Sequence, residues 1–137
     1  MDRQNDFAAL IGRIALAMIF ITSGFGKLTG FSGTAGYIAS KGVPLPEIAA
    51  ALAVLIELGG GLAILAGWMT RWISIFFVIF LIVISPIFHN YWTMEGPARM
   101  TNQIMFWKNV SILGGFLLLF AFGPGRLSID HNRLRST

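Results

Sequence analysis

The run ALAVLIELGGGLAIL, residues 51–65, places one carboxylate, Glu57, among apolar and small side chains. It lies inside a longer apolar run, 46–67, whose other acid, Glu47, falls in its first turn. At 1.5 Å of rise per residue that run crosses a hydrocarbon core of about 30 Å. Lipid offers no partner for an open backbone, so the run must be a helix. A charge at that depth costs about 2.5–3.5 kcal/mol even on a lenient scale, so it faces a bundle interior, a partner or a cavity.

Three further runs share this character: 7–25 interrupted by Arg13, 71–88 with Pro86 near its end, and 103–122 interrupted by Lys108 and Asn109. Of the 137 residues, 55% are hydrophobic and 12% charged, where soluble domains run near 25% charged. Mean hydropathy is +0.74. The fold class is therefore an all-α membrane protein, an antiparallel bundle of four transmembrane helices forming a single domain. Asp2 and Asp6 stand where a signal peptide would be basic, so the first run is expected to be retained.

The connections differ in kind. Gly67 to Arg71 is a tight turn, which makes the second and third helices a hairpin. The stretch 89–102 reads as a polar loop. Between the first two runs, Ser32 suits the N-cap of a short helix over 33–41, with Gly42 and Pro44 ending it. Phe31, Tyr37 and Ile38 give that helix an apolar side, as for an interfacial helix. The segment 123–137 is polar and basic and reads as a partly disordered tail.

Arg3, Arg71, Arg126, Arg133 and Arg135 lie on the side of the termini, against Lys27, Lys41 and Arg99 on the other. That excess predicts both termini in the cytoplasm. The formal charge of +4 is then a matter of membrane topology, and nucleic acid is not an expected partner. With no Cys, the chain itself holds no disulfide, thiolate centre or iron–sulfur cluster. Its two His, His89 and His131, fall on opposite sides, which disfavours a haem. No metal site is expected.

Residues four apart share a helix face. Ala49, Ala53, Glu57 and Gly61 align in the second helix; Arg13, Ala17 and Gly24 in the first. Ser74, Val78, Ser85 and His89 align in the third; Lys108, Ser111 and Gly115 in the fourth. Together they predict a polar axis. Rise per residue puts Arg13 about 9 Å in from one face, and Glu57 about 16 Å and Lys108 about 8 Å in from the other. These depths predict a buried Arg13–Glu57 pair, with Lys108, His89 and Lys27 towards the outer mouth. Glu57, Lys108, His89 and Arg13 are thus candidate ligand-binding residues, with Trp107 or Tyr91 to stack on a ring. The same charges also suit a purely structural role.

The order and spacing of several motifs resemble the DoxX-like family of small four-helix bacterial inner-membrane proteins. They are Arg13, Ser23-Gly24 with Lys27, Gly42-Val43-Pro44, Glu57 with Gly60-Gly61, and Thr70-Arg71. His89, Phe106-Trp107-Lys108-Asn109 and Leu127-Ser128-Ile129-Asp130 complete the series. The resemblance covers almost the whole chain. It implies a multi-pass membrane component of an oxidoreductase system, with a quinone headgroup in the charged stripe and a redox partner protein carrying any thiol or sulfur chemistry. Two other readings stay open: a non-catalytic scaffold subunit, in which the stripe only sets packing, and a small proton-coupled transporter. Small-residue faces also allow a homo-oligomer.

Overall fold

A computed structural model describes residues 3–134. Asp2 and Arg135, used above for the N-terminus and the charge count, lie outside them, as does the Arg3 side chain. Helix α1 is Arg3–Thr29 and the short α2 is Phe31–Ser40. The second span is α3 (Pro46–Val54), a π-helical turn (Leu55–Gly59) and α4 (Gly60–Ala66). The third span is α5 (Thr70–Phe88) and the fourth is α6 (Gly96–Phe122), linked by a 3-10 turn at Tyr91–Thr93. A last helix, α7, is Ile129–Leu134. Four of these segments are long and apolar enough to cross a membrane.

Large apolar side chains cover the outside: Leu55, Leu62, Ile79, Ile82 and Leu118 are each half exposed or more. A surface of that kind is stable only against lipid. Inside, the faces inferred for the first three spans turn inward, with Arg13, Ala17, Gly24, Glu57, Gly61, Ser74, Val78 and Ser85 buried. The middle of the bundle is dry. Phe77 lies 4.4 Å from Phe20 and 4.7 Å from Phe116 between ring centroids, the latter pair stacked, with Ile64 and Leu81 beside them.

Two glycines set the register of α1 against the second span. A Cβ on Gly24 would fall 2.6 Å from the backbone nitrogen of Leu58. One on Gly61 would fall 2.9 Å from Ile21 Cγ1 and 3.3 Å from the Ala17 carbonyl. Backbones can approach this closely only where side chains are absent. Gly60 likewise leaves room for the Phe77 ring.

Several expectations need correction. The fourth helix begins at Gly96, so the polar loop before it is short. Ser32 does not cap the short helix; Gly30 holds the N-cap position and no side-chain cap bond forms. The segment from Gly123 to the end of α7 is folded back under the bundle. Asp130 is the reason: its two carboxylate oxygens accept the backbone N–H groups of Met69 and Thr70, each at 2.8 Å. It thereby caps α5 from the far end of the sequence, and its own N–H donates to the Gly67 carbonyl at 2.9 Å. Asp6 also accepts the Arg126 N–H at 2.8 Å, tying α1 to this segment.

Two outcomes are expected in unfolding of the detergent-solubilised protein. Gly24→Ala should lose about 1–3 kcal/mol by overpacking, whereas Gly12→Ala, with open space around it, should gain up to about 1 kcal/mol from helix propensity. Asp130→Ala should lose about 1–2 kcal/mol, the usual range for a lost N-cap.

Candidate functional site

Glu57 does not meet Arg13. The register set by Gly24 and Gly61 brings Arg13 level with the tight turn after Ala66, about 18 Å of helix rise away from Glu57. There Arg13 is 1% exposed and its Nη2 donates to the Leu127 carbonyl at 2.5 Å. Its Nη1 packs where a Gly67 side chain would be, so Gly67, already at φ +70°, admits no Cβ. The cation is thus held at the end that carries both termini.

The partner of Glu57 is Lys27, in the last turn of α1. Its Nζ donates to Glu57 Oε2 at 2.8 Å and to Ser23 Oγ, one turn back, at 2.6 Å. The Glu57 side chain is 6% exposed and that of Lys27 30%. Lys27 was expected near the outer mouth, but α1 was taken to end at Phe25, and the helix continues to Thr29. Those extra residues put the ammonium over the carboxylate. Glu57 itself sits in the π-helical turn, a rare element that inserts one extra residue and is frequent at functional sites.

This ion pair forms one wall of a cavity of about 450 Å³. The cavity is bounded by α1, α2, the second span and α5. Its lining is mostly apolar, including Leu52, Ile56, Phe80, Val83 and Ile87, with Thr34, Tyr37 and His89 as further polar groups. His89 Nδ1 lies 3.0 Å from Asn102 Oδ1, while Asn102 Nδ2 donates to the Ala98 carbonyl. With that amide orientation, Nδ1 of a neutral His89 carries the proton, and Nε2 is left with a lone pair. Lys27 has three N–H donors and spends two within the protein. Lys27 and His89 therefore offer a donor and an acceptor at polar points of an apolar chamber, beside the Tyr37 hydroxyl.

Of the candidates, Glu57 and His89 line this chamber. Arg13 does not. Lys108 and Trp107 lie outside it on the exposed face of α6, and Ser111 is exposed as well. The inward residue is Asn109, one position and 100° on, whose Nδ2 donates to Ser85 Oγ at 3.1 Å. Lys108, about halfway along α6, reaches Met105 Sδ at 3.0 Å on that exposed face. Tyr91 belongs to a separate aromatic cluster with Trp92 and Phe106 in the loop region. Lys27 and the π turn are the features that the list of site residues lacked. Ser23, four residues before Lys27, was the available signal; the π turn has none beyond the weak helix formers Gly59-Gly60-Gly61. Among the described residues no cluster of His, Asp and Glu is arranged to hold a metal.

Comparison with known proteins agrees with this architecture. The Escherichia coli "Inner membrane protein YphA" is 47% identical over 134 residues, covering 93% of this chain and 96% of that one. The Escherichia coli "Inner membrane protein YqjF" is 43% identical over 133 residues, covering 95% of each. A more distant similarity, 24% over 132 residues, is to the Saccharomyces cerevisiae "ER-derived vesicles protein ERV29", of which the chain spans 36%. No solved structure matches. Residues 8–90 match the family model described as DoxX. This match spans the Lys27–Glu57 pair and His89, and with it the two bacterial relatives show that the chain belongs to the DoxX family.

Proposed function

We propose that this chain is an inner-membrane subunit of an oxidoreductase system that holds a quinone in the Lys27–Glu57 cavity. One observation carries the reading: a buried ion pair, with a donor to spare, faces an apolar chamber large enough for a ligand. Pockets of about 300–1,000 Å³, mostly apolar with a few placed polar groups, are the usual form of small-molecule sites. A quinone carbonyl takes the remaining Lys27 N–H, and a quinol hydroxyl donates to His89 Nε2. Glu57 and Ser23 keep Lys27 aimed. Reduction of the quinone takes two electrons and two protons. No side chain of this protein supplies the electrons, so a partner protein bearing a flavin, haem or sulfur centre must. The termini lie in the cytoplasm in this reading, and the cavity belongs to the outer half.

Proton-coupled transport fits less well. The membrane carboxylate is already paired at 2.8 Å with the Lys27 ammonium. Phe20, Phe77 and Phe116 also fill the interior between the two polar ends.

The test is mass spectrometry of organic extracts from gently solubilised, purified protein. One quinone per chain is expected, lost in Leu52→Trp, which fills the chamber from its lipid side. Bulk phospholipid alone in the wild-type extract would overturn the reading and leave the scaffold role. A second outcome concerns the pair. Lys27→Met should cost more stability than the double change Lys27→Met/Glu57→Leu, because the single change strands a buried carboxylate. Parallel detergent unfolding curves decide it, and quinone retention should fall in both variants.

A further inference from the structure

We propose a second binding site, at the opposite end of the bundle, for the phosphate of an anionic phospholipid headgroup. A cavity of about 590 Å³ opens there between the start of α5 and the turn Gly123-Pro124-Gly125. Arg71, Arg126 and Arg133 line it. The acid among its lining residues, Asp130, is already engaged: both of its oxygens accept backbone N–H groups at the start of α5. Arg126 is in loose contact with Asp6 at 3.7 Å and stays half exposed. The excess charge is therefore cationic, and guanidinium groups match phosphate oxygens in a forked geometry.

Two buried polar atoms in the lining point to a ligand independently of that charge. Thr70 is 0% exposed and its Oγ1 has no hydrogen-bond partner. His131 Nε2 is also buried without one. A buried hydroxyl or imidazole left unpaired costs about 1–3 kcal/mol, and a phosphate oxygen seated deeper than the open cavity would offset it. Gly123 leaves space for the anion's approach: a Cβ there would sit 3.5 Å from Arg71 Nη2.

The surroundings select a lipid over a soluble phosphate. Phe122 and Trp72, which also line the cavity, are 73% and 72% exposed. They give the basic chamber an apolar rim at the level of the flanking Trp68, where acyl chains can lie. Basic pockets between membrane helices on the cytoplasmic side are suited to anionic headgroups in this way.

The test is native mass spectrometry of delipidated, detergent-solubilised protein titrated with phosphatidylglycerol or phosphatidylcholine. One phosphatidylglycerol per chain should be retained, in clear preference to phosphatidylcholine. Arg71→Gln should weaken that binding about fivefold and Arg71→Gln/Arg126→Gln about 30-fold, from roughly 1 kcal/mol per basic residue near an anionic surface. Arg99→Gln, in the loop region at the other end, should leave it unchanged. Arg71 is exposed in the first turn of α5, so its replacement does not threaten the fold. Equal retention of phosphatidylcholine, unchanged binding by Arg71→Gln, or displacement by glycerol phosphate at the lipid's own concentration would each overturn the proposal.

Discussion

The close approach of α1 to the second span governs where every charge in this bundle ends up. Gly24 against Leu58 and Gly61 against Ile21 and Ala17 lock two antiparallel backbones at one register. In water such a contact would be one packing detail among many. In lipid there is no hydrophobic force between helices, so close van der Waals fit decides which faces meet. Once that register is set, Glu57 is level with the last turn of α1, and Arg13 is level with the turn between the second and third spans. A slip of one helical turn would separate Lys27 from Glu57 and push Arg13 out of the space that Gly67 leaves for it.

The consequence is a bundle with two polar ends and a dry middle in place of a continuous polar axis. At one end, Lys27, Glu57 and Ser23 satisfy each other beside an apolar cavity. At the other, Arg13 donates to the Leu127 carbonyl of the folded C-terminal segment. Between them Ser74 and Ser85 return their hydroxyls to carbonyls of their own helix, at 2.7 and 2.6 Å. Asn109 adds a side-chain bond between the third and fourth spans at Ser85. Among the described residues, the buried charged side chains are Asp6, Arg13 and Glu57, and none belongs to the Phe20, Phe77 and Phe116 cluster.

What could be read from the sequence follows from how local each feature is. The four spans, the hairpin at Gly67 and the small-residue face around Glu57 depend on hydropathy and helical period, which neighbouring residues carry. The partner of Glu57 depended on where α1 stops and on the register that Gly24 and Gly61 set against the second span, and no local pattern carries that register. The fourth span failed differently. Lys108 and Asn109 are adjacent, and only one of them can face inward; the rule that charges seek the interior chose Lys108, whereas Asn109 is the buried one. The ordered C-terminal segment was hidden because Asp130 caps a helix that begins 60 residues earlier, a contact that no local pattern announces.

The same geometry bears on how a ligand would enter the chamber. The chamber is walled by the end of α1, the π turn and the short α2, and α2 packs on α3 through Ala35, Ile38 and Ala50. That small cluster is separate from the main core, and it buries much less apolar surface. Local stability follows the number of buried contacts, so α2 is more readily displaced than the four spans while the bundle stays intact. Tyr37 on α2 stands 5.7 Å from Phe88 between ring centroids and on the cavity lining, so movement of α2 widens the chamber on its lipid side. A ligand dissolved in the bilayer could then pass in sideways without disturbing the glycine contacts or the aromatic stack. The register that fixes Lys27 over Glu57 is thus preserved during entry, which is the arrangement a site needs if its polar groups are to stay aimed while its apolar wall yields.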